Sequence, residues 1–190
     1  MDKTPTRFGS DHGTLRSEDE PLLVGQGRFT DDLNMPGQAY AVFVRATSGH
    51  ALLRGVDATA ARKMPGVLAV HTGAELVADG LGGIPPVASA VGRDGKPMVA
   101  AAMPVLAFDR VRYCGEPLAI VVAESLTQAQ DAAEHVLIDS EELPSAVDVE
   151  TALAPGARAT HDAAPKNIAL DWHDGDAAAV EAAFAKAAHV

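Results

Sequence analysis

One cysteine, Cys114, is all the thiol in this 190-residue chain. That excludes an internal disulfide framework, a zinc ribbon and a self-contained iron–sulfur site, each of which needs several thiolates. Cations are scarce as well: 15 Lys plus Arg against 26 Asp plus Glu leave a formal net charge of −11. A chain of that sign repels phosphate backbones and anionic bilayers, which argues against nucleic-acid and membrane-surface binding. No apolar run approaches the ~18 residues of a membrane span. The longest, Pro117-Leu-Ala-Ile-Val-Val-Ala123, has the length of a strand. The N-terminus, Met1-Asp-Lys-Thr-Pro-Thr-Arg-Phe8, lacks the apolar h-region of a secretory signal, so the cytoplasm is the expected compartment.

Large apolar side chains are thin on the ground too. The hydrophobic fraction is 47%, but 37 of those residues are alanine. Leu, Ile, Val and Phe together number 44, or 23% of the chain, just above the ~20% below which a highly charged chain is expected to stay disordered. The length suits one ordinary domain or two small ones without disulfide or metal staples. The expected core is therefore narrow and rich in small residues.

The patterning predicts an α+β fold. Residues 1–20 are polar and aperiodic and read as a flexible arm. A turn-rich stretch leads into a strand over residues 38–45, in which Tyr40, Val42 and Val44 alternate with Ala41, Phe43 and Arg45. Asp57 caps a short helix over 58–63, stopped by Met64-Pro65-Gly66, and a buried strand over 67–71 ends at Thr72-Gly73. Glycine and proline then crowd residues 80–103, a length without elements of its own that is unusual inside a compact domain. Strands over 111–113 and 117–123 follow, separated by Cys114-Gly115-Glu116. The box Ser125-Leu-Thr-Gln128 starts a helix with Leu126, Ala129, Ala133 and Val136 at helical spacing. A strand over 136–139, an irregular stretch over 152–171 and a last helix capped by Asp174-Gly-Asp176 complete the order. Strand–helix–strand units interrupted by hairpin-like neighbours predict a mixed sheet with about three helices, not a doubly wound parallel sheet. Val190 directly follows the last helix, as if the chain were cut there.

Candidate chemistry is sparse. Gly25-Gln-Gly27-Arg-Phe-Thr30 begins like a dinucleotide fingerprint but lacks the third glycine and a following periodic helix, so it reads as a structural turn. No histidine pairs with another at i, i+4; His161-Asp162 and His173-Asp174 are the best remaining metal candidates, and capping or solvated groups are the simpler reading. Cys114 has Arg110, Arg112 and Tyr113 nearby in sequence, which would favour a thiolate, but no general base is identifiable and a buried structural cysteine is expected. The acidic runs Glu18-Asp19-Glu20, Asp31-Asp32 and Glu141-Glu142 read as solvated faces. Neither Lys63 beside Met64 nor Lys96 beside Pro97 suits a lipoyl or biotinyl attachment at a hairpin tip.

Several segments, taken in order, resemble the opening of the molybdenum hydroxylase large subunit, the family of aerobic carbon monoxide dehydrogenase, xanthine dehydrogenase and aldehyde oxidase. They are Arg16-Ser-Glu-Asp19 with Leu22-Leu-Val-Gly-Gln-Gly-Arg-Phe-Thr-Asp-Asp32, Met64-Pro-Gly-Val-Leu-Ala-Val-His-Thr-Gly73, and Val111-Arg-Tyr-Cys-Gly-Glu-Pro-Leu-Ala-Ile-Val-Val-Ala-Glu124. Gln128-Ala-Gln-Asp-Ala-Ala-Glu134, Leu143-Pro144, Ala152-Leu-Ala-Pro-Gly156, His161-Asp162 and residues 175–190 continue in register. The pattern departs at Cys114, where a small aliphatic is usual, at Ser140 in place of an aromatic, and at Ser48-Gly49-His50. The resemblance implies an α/β-hammerhead domain, here over residues 21–172, with residues 173–190 leading toward molybdenum-cofactor domains absent from this chain. It further implies that molybdopterin belongs to later large-subunit domains, and FAD and the [2Fe–2S] clusters to flavin and iron–sulfur partner subunits. No catalytic, cofactor-binding or metal residue is carried over onto these positions. Two readings result: an architectural, subunit-docking part of a molybdopterin-dependent oxidoreductase, inactive alone, or a stand-alone acidic protein-binding module.

Overall fold

The computed structural model describes residues 16–189; His12 and most of the arm expected over residues 1–20 lie outside the described residues. The chain forms two units, Met1–Gln38 and Ala39–Val190. In the described part of the first, a five-residue helix α1 (Asp19–Leu23) is preceded by Arg16, whose Nε donates to Asp19 at 2.9 Å. A 3-10 turn follows at Thr30–Asp32, where Asp32 accepts the Phe29 N–H at 2.9 Å. No described residue of this unit is buried.

The second unit is built on two three-stranded sheets. One has the order β1 (Tyr40–Arg45), β5 (Pro117–Ala123), β3 (Val67–Thr72). The other has the order β4 (Arg110–Val111), β2 (Ala51–Asp57), β6 (Leu137–Glu142). The apolar run of β5 suits a central strand, because a strand with neighbours on both sides and cover on both faces has little use for polar alternation. It registers Phe43↔Ile120 against β1 and His71↔Ile120 against β3.

The α+β class is as expected, but the mixed sheet is not: every pairing is antiparallel. The strand–helix–strand units explain the difference. In both β2–turn–β3 and β5–helix–β6 the two strands enter different sheets, so no parallel pair arises. The helix count also changes, from about three to five. The stretch expected as a helix over 58–63 tightens to a 3-10 turn at Ala61–Lys63. Short helices α2 (Gly73–Ala78) and α4 (Val149–Leu153) appear instead, before and after α3 (Leu126–Glu134), with α5 (Ala177–Phe184) last. Thr72 caps α2 and Glu75 reaches back to the Thr72 N–H at 2.9 Å, a T-x-x-E capping box that begins where Gly73 reads as a strand terminator.

The core is as alanine-rich as the composition requires: ten of its seventeen buried apolar residues are alanine. One cluster gathers Ala61, Val70, Ala119, Val121, Ala132 and Val136 beneath α3. A second gathers Ala51, Leu53, Ala107, Val111 and Leu118. Val56 and Ile138 pack against both. The buried side of α3 is Ala129 and Ala132, while Leu126, expected inward, is half-exposed. Leu126, the first residue of the helix, lies at its edge rather than over the sheet, and the small Ala129 and Ala132 face the valines of the cluster.

Between α2 and β4 the chain makes a long excursion, closed by two isolated antiparallel bridges, Ile84↔Met103 and Val91↔Pro97. Its distal part is tied to the C-terminal stretch, with the Val99 N–H on Ala169 O at 2.9 Å and the Arg93 N–H on Asp171 O at 2.8 Å. Asn167, at φ 57, organises that stretch: its side-chain amide donates to Ala152 O and Arg158 O, and its Oδ1 accepts from the Thr160 N–H. At the base of the excursion, Gly73 runs so close to the returning chain that an added Cβ would lie 2.3 Å from Ala107 O and 2.6 Å from Leu106 O. Both neighbours are backbone and cannot move aside cheaply. Gly73→Ala is expected to destabilise the fold by roughly 1–3 kcal/mol, as overpacking does, read as a lower urea midpoint at unchanged slope. A wild-type midpoint would show that the contact relaxes freely.

Candidate functional site

A concavity lies where the excursion returns to the sheets. Leu76 and Val77 from α2, Met103, Leu106 and Phe108 from the returning limb, and Tyr113 from the β4–β5 turn enclose about 400 Å³. The walls are apolar, and the polar groups concentrate at Asp109, Arg112, Glu116 and His161.

Arg112 and Glu116 are fixed by the turn joining β4 to β5. Gly115 takes φ +87, a conformation that L side chains rarely adopt. Its N–H donates to Ala46 O at 2.8 Å, and the Ala46 N–H donates to Glu116 O at 2.9 Å. The turn therefore leans on the end of β1. Glu116 is only 2% exposed, and its Oε2 accepts the Arg112 backbone N–H at 2.5 Å. The carboxyl is held above its ordinary range chiefly because burial strips water from the charged form; the Arg112 N–H and guanidinium oppose that shift, and Asp109 adds to it. The Arg112 guanidinium meets Asp109 in a long, two-pronged pair, 3.2 Å on each prong, and donates again to Arg110 O. Its Nε is buried without a partner among the described residues, as is Nε2 of His50, whose Nδ1 lies 3.1 Å from Pro144 O.

The sequence candidates scatter. His161 lines the cavity, its Nδ1 accepting from the Ala163 N–H at 3.2 Å, and Asp162 pairs with Arg110 at 3.1 Å. His173 is exposed elsewhere in the C-terminal stretch. No group of three or more His, Cys, Asp or Glu able to hold a metal occurs among the described residues. Residues 25–27 form a turn with no helix N-terminus to cradle phosphate. Glu18, Asp19 and Glu20 lie at α1, Asp31 and Asp32 in the 3-10 turn, and Glu141 pairs with Arg54 at 2.6 Å, so the acidic runs do not converge. Cys114 is a correction. It is exposed, not buried, because the Gly115 turn swings it outward, with Sγ 3.5 Å from Thr47 O.

Glu116, Asp109 and Arg112 carry no motif of their own. The available signal is a glutamate placed directly before the apolar β5 run, with Asp109 and Arg112 at i, i+3 before it. The donor set does not fit a molybdenum–pterin group. Arg112 spends its terminal N–H groups on Asp109 and Arg110 O and keeps only its buried Nε free, the carboxyls of Asp109 and Glu116 lie beside it, and most remaining walls are apolar, a poor match to a phosphate-bearing group.

A family profile described as aldehyde oxidase and xanthine dehydrogenase, a/b hammerhead domain, matches residues 24–144. The nicotine 6-hydroxylase large subunit of Paenarthrobacter nicotinovorans is 38% identical over 92% of this chain and 20% of its own length. The carbon monoxide dehydrogenase large chain of Afipia carboxidovorans is 33% identical over 90% of this chain and 21% of its own. Among solved structures, reconstituted CO dehydrogenase from Oligotropha carboxidovorans superposes with TM-score 0.67 at 30% identity, covering 92% of this chain and 22% of that one. The chain thus spans about a fifth of the length of the curated relatives it matches.

The geometry makes two measurable statements. Because the Glu116 carboxyl sits above its ordinary value of 4.5, the native state binds more protons than the unfolded chain in the window from 4.5 up to the raised value. Its contribution to stability is present below that window and lost as pH rises through it. Glu116→Gln keeps an acceptor for the Arg112 N–H and removes the titration, so the wild-type-minus-variant stability difference should fall with rising pH across the window; a flat difference in urea melts contradicts the buried carboxylate. Glu116→Ala strands the N–H and is expected to cost about 1–3 kcal/mol at pH 7. Separately, the native protein should react with one equivalent of a thiol-exchange chromogen at Cys114 without denaturant, whereas a buried thiol would react only after unfolding.

Proposed function

The chain belongs to the hammerhead family of aldehyde oxidases and xanthine dehydrogenases, and on that footing we propose an architectural role: it is the N-terminal, subunit-docking part of the large subunit of a molybdopterin-dependent oxidoreductase. The observation that carries this reading is the excursion. Residues 80–92 and 97–108 contain no charged side chain, although 22% of the whole chain is charged. Leu81, Ile84, Val87 and Val91 on the outgoing limb are all at least half exposed. An uncharged, apolar limb projecting from a chain of net charge −11 is expected at a surface that is covered in the working assembly. No helix among the described residues is long and apolar enough to cross a membrane, and the cytoplasm is the compartment we assign.

In the parent reaction we place oxidative hydroxylation, or oxidation of CO, with water as the oxygen source, at a molybdenum centre held by the rest of the large subunit. The [2Fe–2S] and FAD groups that would accept the electrons would belong to partner subunits. This chain's own residues bind and orient polypeptide; none moves a proton or electron in the reaction.

Replacing residues 85–102 by a three-residue Gly-Ser-Gly link, beyond the Ile84–Met103 bridge, is expected to abolish co-purification with the other subunits and to leave cofactor synthesis in the host unchanged. Normal assembly of that variant would sink the docking role. The unaltered chain alone, mixed with molybdenum cofactor and CO, aldehydes or N-heterocycles, is expected to bind no stoichiometric molybdenum and to show no turnover; metal at one equivalent per chain overturns the reading.

A further inference from the structure

The chain holds three Asp-Gly pairs, Asp79-Gly80, Asp94-Gly95 and Asp174-Gly175. Each sets an electrophile beside a nucleophile: the aspartate carboxyl carbon and the next backbone nitrogen. Glycine has no Cβ to shield that nitrogen, so closure of a five-membered ring between the two is governed by how they are held. Productive geometry brings reacting atoms to about 3–3.5 Å. The three pairs differ in that respect.

Two of them are held out of reach. Asp79 follows the last residue of α2, and the Gly80 N–H donates to Val77 O at 3.0 Å. The Gly95 N–H likewise donates to Gly92 O at 3.0 Å. The Asp94 carboxyl is engaged as well: its Oδ1 accepts the Lys96 N–H at 3.0 Å and its Oδ2 meets Lys96 Nζ at 3.2 Å. The Lys96 N–H and ammonium hold Asp94 below its ordinary range, and an ionised carboxylate is a poor electrophile. At the third pair the arrangement is reversed. The Gly175 N–H turns onto the neighbouring side chain, its nitrogen 2.8 Å from Asp174 Oδ1, which brings Cγ, one bond further on, close to the same nitrogen. Gly175 sits at φ +92 with open space where a side chain would stand, and both residues are exposed.

We propose that Asp174 is a site of spontaneous isoaspartate formation, selected by the fold from the three Asp-Gly pairs. The Gly175 nitrogen bonds to Asp174 Cγ, the Cγ–OH bond of the protonated carboxyl breaks, and the amide proton leaves with the hydroxyl as water. Water then adds back to the cyclic imide. Opening at the Cγ–N bond restores aspartate. Opening between the nitrogen and the α-carbonyl leaves a main chain that runs through Cβ and Cγ, with a free α-carboxylate as the side group. Nothing is oxidised or reduced, and the final mass is unchanged. The product inserts one extra main-chain atom two residues before Asp176, whose Oδ1 caps α5 by accepting the Ala179 N–H at 3.0 Å. It thereby changes the path from the stretch tied down at Ala169 and Asp171 into the last helix.

The test incubates the full 190-residue chain for several weeks in mildly acidic buffer at body temperature, native in one arm and unfolded in guanidinium chloride in the other. Isoaspartate at each pair is measured by peptide mapping with electron-transfer fragmentation. Methyl transfer from labelled S-adenosylmethionine by an isoaspartyl methyltransferase gives a second readout. In the native arm Asp174 is expected to convert at least tenfold faster than Asp79 and Asp94. In the unfolded arm, where only the shared Asp-Gly chemistry remains, the three are expected to agree within threefold. Asp174→Glu keeps the charge but lengthens the arm by one methylene, and is expected to abolish the native methyl-transfer signal. A native excess below tenfold, an excess that persists in the unfolded arm, a signal that survives Asp174→Glu, or no isoaspartate at Asp174 overturns the inference. The docking role stands or falls separately.

Discussion

The carboxylate of Glu116 closes the turn on which both sheets meet. Its Oε2 accepts the Arg112 N–H, and its own carbonyl accepts from Ala46 at the end of β1. Through that one residue, β4 in one sheet is tied to β5 in the other and both are tied to the first strand of the unit. Burying a carboxylate is costly, and a short hydrogen bond and the neighbouring Arg112 guanidinium offset only part of that cost, so the carboxyl stays above its ordinary range. The position of the cavity floor, the exit direction of β5 and the outward swing of Cys114 all derive from this turn.

The alanine-rich core follows a related logic. Large side chains hold layers apart and fill the gaps; alanines let main chain approach main chain. The approach of Gly73 to Ala107 and the packing of Ala129 and Ala132 over the β5 sheet are both contacts of that second kind. Such a core gains modest hydrophobic stabilisation per residue, at ~0.8 kcal/mol per buried methylene. Its shape, however, is sharply determined. A unit whose larger apolar residues sit at its surface draws part of its stability from whatever covers them.

The fold was legible where local chemistry and long-range pairing agree. The apolar run of β5, the Ser125 and Asp176 caps and the alternation in β1 all lie where the pattern puts them. What was not legible is long-range. Which sheet a strand joins depends on the path of its connection, so two strand–helix–strand patterns that suggest a parallel pair instead feed two antiparallel sheets. The α2 capping box was hidden because Gly73 has two meanings, a strand stop by propensity and a close-contact residue by packing. The site was least visible of all. Glu116 looks like any surface glutamate until the turn folds it inward, and Cys114 looks buried until Gly115 turns it out. The family resemblance, by contrast, was readable because it rests on the order of many weak segments.

The composition of the excursion also bears on self-association. A long uncharged limb with Ile84, Val87 and Val91 in the open has the composition of an aggregation-prone ribbon. Pro85, Pro86, Pro97 and Pro104 remove four N–H donors from it, and Arg93, Asp94 and Lys96 place its few charges at the tip. Strand edges without donors make poor templates for another copy. The same glycines and prolines that keep the limb out of a regular sheet therefore keep it from adding to the limb of a neighbouring copy.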